Sequence, residues 1–563
     1  MQGKKPHPVI SDHIHQLRAA VRDMQRILRE RGPSQIQFWF IALAIGIAGG
    51  FAALLFRKGV EALQRWAYGA EDTQLIHSFA STLPWQLLVG LPIAGGLAVG
   101  VVLHVFTKDG RARSVADVIE GAAINGGRVE TKAGLASALA SMITLGTGGS
   151  TGREGPVVHL AAVIATWVSR RLHASGITGR DLLGCAVAAA VSASFNTPIA
   201  GALFALEVVL RHFAVHAFAP IVIASVAGTV INRLAFGDVT EFNLPDSSAL
   251  AFYVELPAFL LLGLLCGVVA ALFMRAIFIG EDFANHVQAD FRIPRALRPA
   301  IAGGMLGVLA LAFPHIIGVG YETTSAALTG KLLFWEAVVF ALLKAIAVVI
   351  TMAGRMGGGI FSPSLMIGAL TGLAFGTVAT AVFPEVSGTS ALYALAGMGA
   401  VAAAVLGAPI STTLIVFELT GDWQTGLAVM VSVSLSTALA SRLVDRSFFL
   451  TQLERRNIHL AAGPQAYLLA MVGAGRIMRP MTDPRAAPAD ALLAQVAEGV
   501  FVTLEDTLET IMPIFEKTEA DYIPVIKENP QGGPPALEGA VFHIDALKAY
   551  TRAMADTAAE EHS

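Results

Sequence analysis

The feature that most constrains this chain is a series of apolar segments of unequal length. Ile36 to Phe56 and Trp85 to Phe106 are each long enough to cross about 30 Å of hydrocarbon as helices. Leu135 to Leu145, Leu182 to Val191 and Pro409 to Phe417 are too short, while Val254 to Ile279 is long enough to tilt. Backbone in lipid must satisfy its own hydrogen bonds, so segments too short to cross belong to broken or re-entrant helices sheltered by others. The chain therefore reads as an all-α polytopic membrane protein of the channel or transporter type. Composition agrees: 54% apolar residues against 14% charged ones, with a mean hydropathy of +0.63, exclude an ordinary soluble enzyme. A net charge of −3 offers nothing to nucleic acid. Two cysteines inside apolar segments, Cys185 and Cys266, form neither a disulfide framework nor a zinc spacing. No metal and no cofactor is expected.

Three regions follow. Residues 1–34 carry seven Lys/Arg against three acids, lack the apolar core of a signal peptide, and repeat Ile14, Leu17, Val21, Met24 and Leu28 at helical spacing. They read as a basic amphipathic segment that places the N-terminus in the cytoplasm. Residues 35–460 form the membrane domain. Residues 461–563 turn polar and read as a small cytoplasmic α/β tail. There Asp506-Thr507-Leu508-Glu509 suggests a capping box, Tyr522 to Ile526 and Gly539 to Ile544 suggest strands, and Gly532 to Pro535 a loop.

Within the membrane domain, Gly152-Arg153-Glu154-Gly155-Pro156 interrupts apolar sequence with two charges, directly after the glycine-rich Gly146 to Thr151. A charge at membrane depth costs about 2.5–3.5 kcal/mol on insertion scales, so it is functional or faces a polar cavity. Glycines at a helix start expose backbone N–H groups that suit an anion. An ionised Glu154 would compete for that anion position, and a protonated one would release it. The pattern is that of an anion pathway with an acid gate.

An internal repeat supports a pathway of this kind. Pro198 to Glu207 and Pro409 to Glu418 each place a glutamate nine residues after a proline that follows alanine-rich sequence. Glu154-Gly155-Pro156 precedes the first copy much as Gly359-Ile360-Phe361-Ser362-Pro363 precedes the second. Two repeats of broken helices put a site at their interface near the midplane.

Together these motifs resemble the CLC family of chloride channels and proton/chloride exchangers, over about residues 35–460. The resemblance implies an inverted-repeat CLC-type fold and a homodimer with one anion pathway per subunit, in a plasma or inner membrane with both termini cytoplasmic. It makes Glu154 the gate, with Gly152, Arg153 and Gly155 around it. It also implies that backbone N–H groups of Ile360 and Phe361 bind the anion, chloride or a similar one.

Three positions depart from the family pattern. The family's anion-coordinating serine falls on Arg113 or, with a slip of one residue, on Ser114. The inward-facing glutamate of many exchangers falls on Val208, just after Glu207, so the proton path lacks an acid there. The family's anion-contacting tyrosine falls on Phe449, which cannot donate a hydrogen bond. An uncoupled chloride channel is the expected function, with a proton-coupled exchanger as the alternative. The tail from Val502 to Tyr550 resembles one CBS motif where the family usually has two, so nucleotide binding is not expected from it. A remote alternative from another class, an intramembrane serine hydrolase, rests on Gly148-Gly149-Ser150-Thr151-Gly152 and would require a histidine, such as His159, beside Ser150.

Overall fold

The computed structural model describes residues 35–562 apart from 71, 175, 214, 238–241, 243–251, 459, 461–468, 470–471, 505 and 528–535. The amphipathic N-terminal segment and the Gly532–Pro535 loop lie outside the described residues. The first half of the membrane domain runs through α1 (Gln35–Tyr68), α2 (Ile76–Ala80), α3 (Trp85–Phe106), α4 (Val115–Ala123), α5 (Thr131–Gly146), α6 (Glu154–Leu172), α7 (Gly176–Phe195), α8 (Pro198–Phe204, prolonged by a π-helical turn over Ala205–Leu210) and α9 (Val215–Phe236). The second half contains α10 (Phe252–Asp290), α11 (Arg298–Ala312), α12 (Tyr321–Leu328), α13 (Phe334–Ala353), α14 (Phe361–Val382), α15 (Ser390–Leu406), α16 (Pro409–Thr420), α17 (Trp423–Leu443) and α18 (Phe448–Glu454). Among the described residues, eight helices are long and apolar enough to cross a membrane.

Several helices outrun their apolar segments. Past Phe56, α1 continues to Tyr68 because Arg57 and Glu61 pair one turn apart at 2.9 Å. The segment Leu182 to Val191 is the middle of a 20-residue helix. Its polar end stays helical because Ser194 donates back to the Ala190 carbonyl at 2.8 Å, and Ser192 donates across to Ser225 at 2.7 Å.

Packing at the centre depends on small residues. All positions of α15 from Ala391 to Leu406 are buried, as expected of a helix apolar all round. Its neighbour α14 offers Gly368, Gly372 and Gly376, one per turn. A β-carbon on Gly372 would stand 2.1 Å from the Tyr393 carbonyl oxygen, so these backbones touch.

The two halves lock through their glutamates. Glu207, at the end of the first repeat segment, accepts from Ile410 N (2.9 Å) and Ser411 N (2.8 Å) at the start of α16. Glu418, at the end of the second, accepts from Ile199 N (2.9 Å) and Ala200 N (2.7 Å) at the start of α8. Each carboxylate satisfies the orphan N–H groups of the other repeat's broken helix, a cap supported by the helix dipole.

The chain gathers its charges at two poles. The arginine pole holds the end of α3, the 107–114 connection, the start of α11 and the 354–358 connection. The opposite pole holds α2, the 314–320 connection and the start of α12. There Lys344 of α13, fully buried, donates to the carbonyls of Gly318 (2.8 Å) and Ile316 (3.2 Å), pinning that connection.

The tail has its own core, built on Leu508, Ile511, Phe515, Ile523, Val525 and Val541. After α19 (Ala474–Ile477) come β1 (Arg479–Pro480), α20 (Ala489–Ala497), β2 (Val502–Thr503), α21 (Leu508–Thr518), β3 (Tyr522–Lys527), β4 (Ala536–Phe542) and α22 (His543–His562). The sheet order is β1-β4-β3-β2, with only β2–β3 parallel. Two expectations shift here. His543 and Ile544 open α22 rather than extend the strand. The capping box does not form: Thr507 is the N-cap, and Asp506 instead accepts from Thr503 N at 2.6 Å, closing the turn before the helix.

Candidate functional site

The connections ahead of α6 and α14 meet at the interface of the repeats. Gly152 and Gly359 form an isolated antiparallel bridge, Gly152 N to Gly359 O at 2.7 Å and Gly359 N to Gly152 O at 2.8 Å. From this bridge the chain enters one helix at Glu154 and the other at Phe361, so the two helix starts face a common point. The approach requires glycine. A β-carbon on Gly358, whose φ is 128°, would sit 2.0 Å from Thr151 Oγ1, and one on Gly155 would press on Gly359 at 3.2 Å.

Glu154 is 2% exposed. Its Oε1 accepts a hydrogen bond from Ser362 Oγ, and its Oε2 has no hydrogen-bond partner among the described residues. The nearest small space, about 10 Å³, is lined by Ser114, Glu154, Gly155, Ile360, Phe361 and Phe449 among others. That is about the volume one water-sized sphere needs. At the start of α14, the N–H groups of Ile360 and Phe361 have no carbonyl partner among the described residues. A carboxylate thus lies in a space of monatomic-ion size, beside donors that suit an anion.

The alternative between Arg113 and Ser114 is decided by side-chain direction. Ser114 lines the space at Glu154. Arg113 turns away, binding Asp109 at 2.8 Å and Glu130 at 2.8 Å. Its backbone N donates to Ser137 Oγ at 2.7 Å, which fixes the turn that aims Ser114 inward. Arg153 is buried too; it donates Nη2 to the Ser194 carbonyl at 2.9 Å and lies 5.3 Å over the Tyr321 ring. Gly152 stays against the gate, where a β-carbon would meet Glu154 Oε2 at 2.6 Å. Val208 is buried in the π-helical turn and is not among the residues lining the space at Glu154. Phe449 and Phe448 both line that space, with 5.9 Å between their ring centroids.

At the arginine pole a cavity of about 120 Å³ shares Ser114, Met352 and Gly358 with the space at Glu154. A further space of about 30 Å³ is lined by Arg57, Glu61, Gln64, Arg153 and Tyr321, Arg153 being the chain neighbour of Glu154. A cavity of about 740 Å³ lies among α10, α13 and α14; its lining is apolar save Thr371.

The hydrolase arrangement is not assembled. Ser150 Oγ is buried without a hydrogen-bond partner, and the His159 ring faces the Ser114 carbonyl at 3.4 Å. Residues that sequence reasoning passed over include Ser362, the donor to Glu154, and the arginines 298 and 355 of the larger cavity. Ser362 carried a usable signal, because in the repeat alignment it matches Gly155 within the second Gly-x-x-x-Pro.

Comparison with known proteins identifies the family. A family model described as voltage gated chloride channel matches residues 95–441. A chloride channel protein of Ralstonia nicotianae, described as ClcB-like, is 33% identical over 397 residues, covering 70% of this chain and 91% of its own length. Among solved structures, a slow cyanobacterial Cl−/H+ antiporter superposes with a TM-score of 0.65 at 21% identity, covering 74% of this chain and 97% of its own. A eukaryotic CLC transporter does so at 0.65 and 19%, covering 93% and 98%.

Proposed function

The chain belongs to the voltage-gated chloride channel (CLC) family, and on that premise we propose that it is an uncoupled anion channel whose gate is Glu154. Family membership makes it a multi-pass membrane protein for anion transport. The gate is the further step, and one observation carries it: the Glu154 carboxylate lies in a space of about 10 Å³ that adjoins the larger cavity at the arginine pole, beside two convergent helix starts. Ionised, it fills the position an anion needs. Protonated, it no longer competes, and the anion passes. Each subunit of a homodimer carries such a path, and the arginine pole faces the cytoplasm by the positive-inside rule.

The absence of proton coupling rests on the inner side. Val208 cannot hold a proton, and Glu207 is engaged in capping α16. One observation favours the second reading, a proton-coupled exchanger. His159 lies one and a half turns from Glu154 on α6, with Nδ1 directed at the Ser114 carbonyl, and an imidazole there could hold a proton. The solved relative named above as an antiporter is consistent with that reading.

Flux from proteoliposomes tests both. With Glu154→Gln, anion flux should become independent of pH between 4 and 8, the range that spans an ordinary carboxyl, about 4.3. Wild-type pH dependence in that variant would remove Glu154 from the gate. In wild type, the reversal potential should follow the chloride gradient alone, and uphill chloride movement driven by a pH gradient would establish the exchanger instead.

A further inference from the structure

The cavity at the arginine pole differs in size and chemistry from the space it leads to. It measures about 120 Å³ against about 10 Å³ at Glu154. One water-sized sphere needs about 10–15 Å³ of such space, so the larger cavity accommodates a polyatomic anion and the smaller one only a sphere of about water's size. Its polar lining comprises Arg111, Arg298, Arg355, Asn285, Gln452 and Glu281, besides Ser114 at the inner end.

The three guanidinium groups are not equivalent. Arg111 is compensated by Asp109 and Asp117, at 3.3 and 2.9 Å. Arg298 and Arg355 make no ion pair among the described residues. Arg298, 6% exposed, is held only by neutral acceptors: Nε donates to the Ala353 carbonyl at 2.7 Å, and Nη1 to Asn285 at 2.6 Å and Gln288 at 2.8 Å. Its Nη2 has no acceptor among the described residues. Arg355 donates Nη1 to the Asp109 carbonyl at 3.1 Å, and its Nε and Nη2 have no acceptor among the described residues. Its backbone holds a φ of 56°, an uncommon conformation for an arginine, within the connection that leads to Gly358. Glu281, on the same wall, touches neither group and acts on both only at longer range.

Two fixed guanidinium groups with no carboxylate in ion-pair contact among the described residues carry a desolvation cost that an anion between them would offset. Planar N–H forks match the paired oxygens of an oxyanion better than they match a sphere. We infer that this cavity is a binding site for a tetrahedral oxyanion of the sulfate or phosphate class, held by Arg298 and Arg355 and opposed by Glu281. Such an anion cannot enter the space at Glu154, so it blocks anion passage from the arginine pole. Binding depends only on the cavity. The block rests, in addition, on the pathway proposed above.

The test uses the full-length protein in detergent, titrated calorimetrically with sodium sulfate and, separately, inorganic phosphate at constant ionic strength. Wild type should bind one equivalent per chain. Arg355→Gln should weaken binding about tenfold or more, and Glu281→Gln, which removes the opposing charge without emptying the wall, should tighten it. Failure of wild type to saturate, or unchanged affinity in both variants, would overturn the site. In planar bilayers, sulfate added at the arginine pole should reduce chloride current in wild type and less so in Arg355→Gln. Binding without any block would overturn the blocking role. A Glu154→Gln protein that keeps its sulfate affinity but also keeps wild-type gating would overturn the gate and leave the site standing.

Discussion

At the scale of single residues, the membrane domain combines charges that burial would normally penalise with partners that are mostly backbone. Lys344 and Arg298 are held by carbonyl and amide oxygens, and Glu154 by one hydroxyl. The pole opposite the arginines shows the same economy in a group that titrates. His315 stacks on Phe340 at 4.0 Å and lies tilted against His77 at 4.3 Å, and its Nδ1 has no hydrogen-bond partner among the described residues. Burial, with the neighbouring imidazole, pushes His315 down to about 4, and burial pushes His77 down to about 4 as well, against the opposing Glu322 carboxylate 3.0 Å from its Nδ1. An unfolded histidine titrates near 6.5, so between those values the unfolded chain takes up protons that the folded one refuses. Stability should therefore fall as pH drops below about 6.5 and level off near 4. His315→Phe keeps a ring on Phe340 and removes one titrating group. Its unfolding free energy, followed through the thermal midpoint, should decline less than wild type's between pH 7 and 5, by on the order of 1 kcal/mol once solvent screening at this partly exposed pole is discounted. Parallel declines would show that these imidazoles do not set acid stability.

At the scale of elements, the reciprocal caps explain why each repeat segment ends in glutamate. The proline that starts α8 or α16 sets φ for a helix without needing its missing N–H, and the next two N–H groups go to the carboxylate of the other half. Glu207 is thereby structural, although its neighbour in sequence is the position where an exchanger would carry an acid. Glu207→Gln should cost about 1–2 kcal/mol, as loss of a charged cap does, and should leave the reversal potential of reconstituted protein where it was. A shifted reversal potential at preserved melting temperature would make Glu207 a proton carrier. This role was half legible in the sequence. The proline-to-glutamate spacing identified the two segments as equivalent, but spacing along one helix says nothing about which helix start its last side chain meets. The Arg113 and Ser114 alternative is similar, since a loop has no periodicity to fix register. Ser137 on α5, 24 residues away, sets it by accepting from Arg113 N.

At the scale of the whole molecule, charge asymmetry between the poles predicts the orientation proposed above, and labelling from outside tests it. Both native cysteines, Cys185 and Cys266, are buried, so an introduced thiol is the one that reacts. Ser81→Cys, exposed beside α2, should be labelled by an impermeant maleimide on intact cells, and Lys108→Cys, exposed after α3, should be labelled only after lysis. The reverse pattern would invert the proposed topology. Sequence by itself determined the solvent of this protein, because apolar length and charge scarcity are summed locally. It determined the two broken-helix repeats, because proline, glycine and lone acids act within a turn or two of where they stand. It also identified Glu154, since a carboxylate in apolar sequence is conspicuous without any fold. Only the tertiary structure decided what each polar group faces: Ser114 inward and Arg113 outward, Glu207 onto the far repeat, and Arg298 and Arg355 onto one cavity although 57 residues separate them in the chain. Those outcomes depend on contacts between helix ends distant in sequence, where a one-residue change of register or rotation reverses the answer, and no local pattern carries that information.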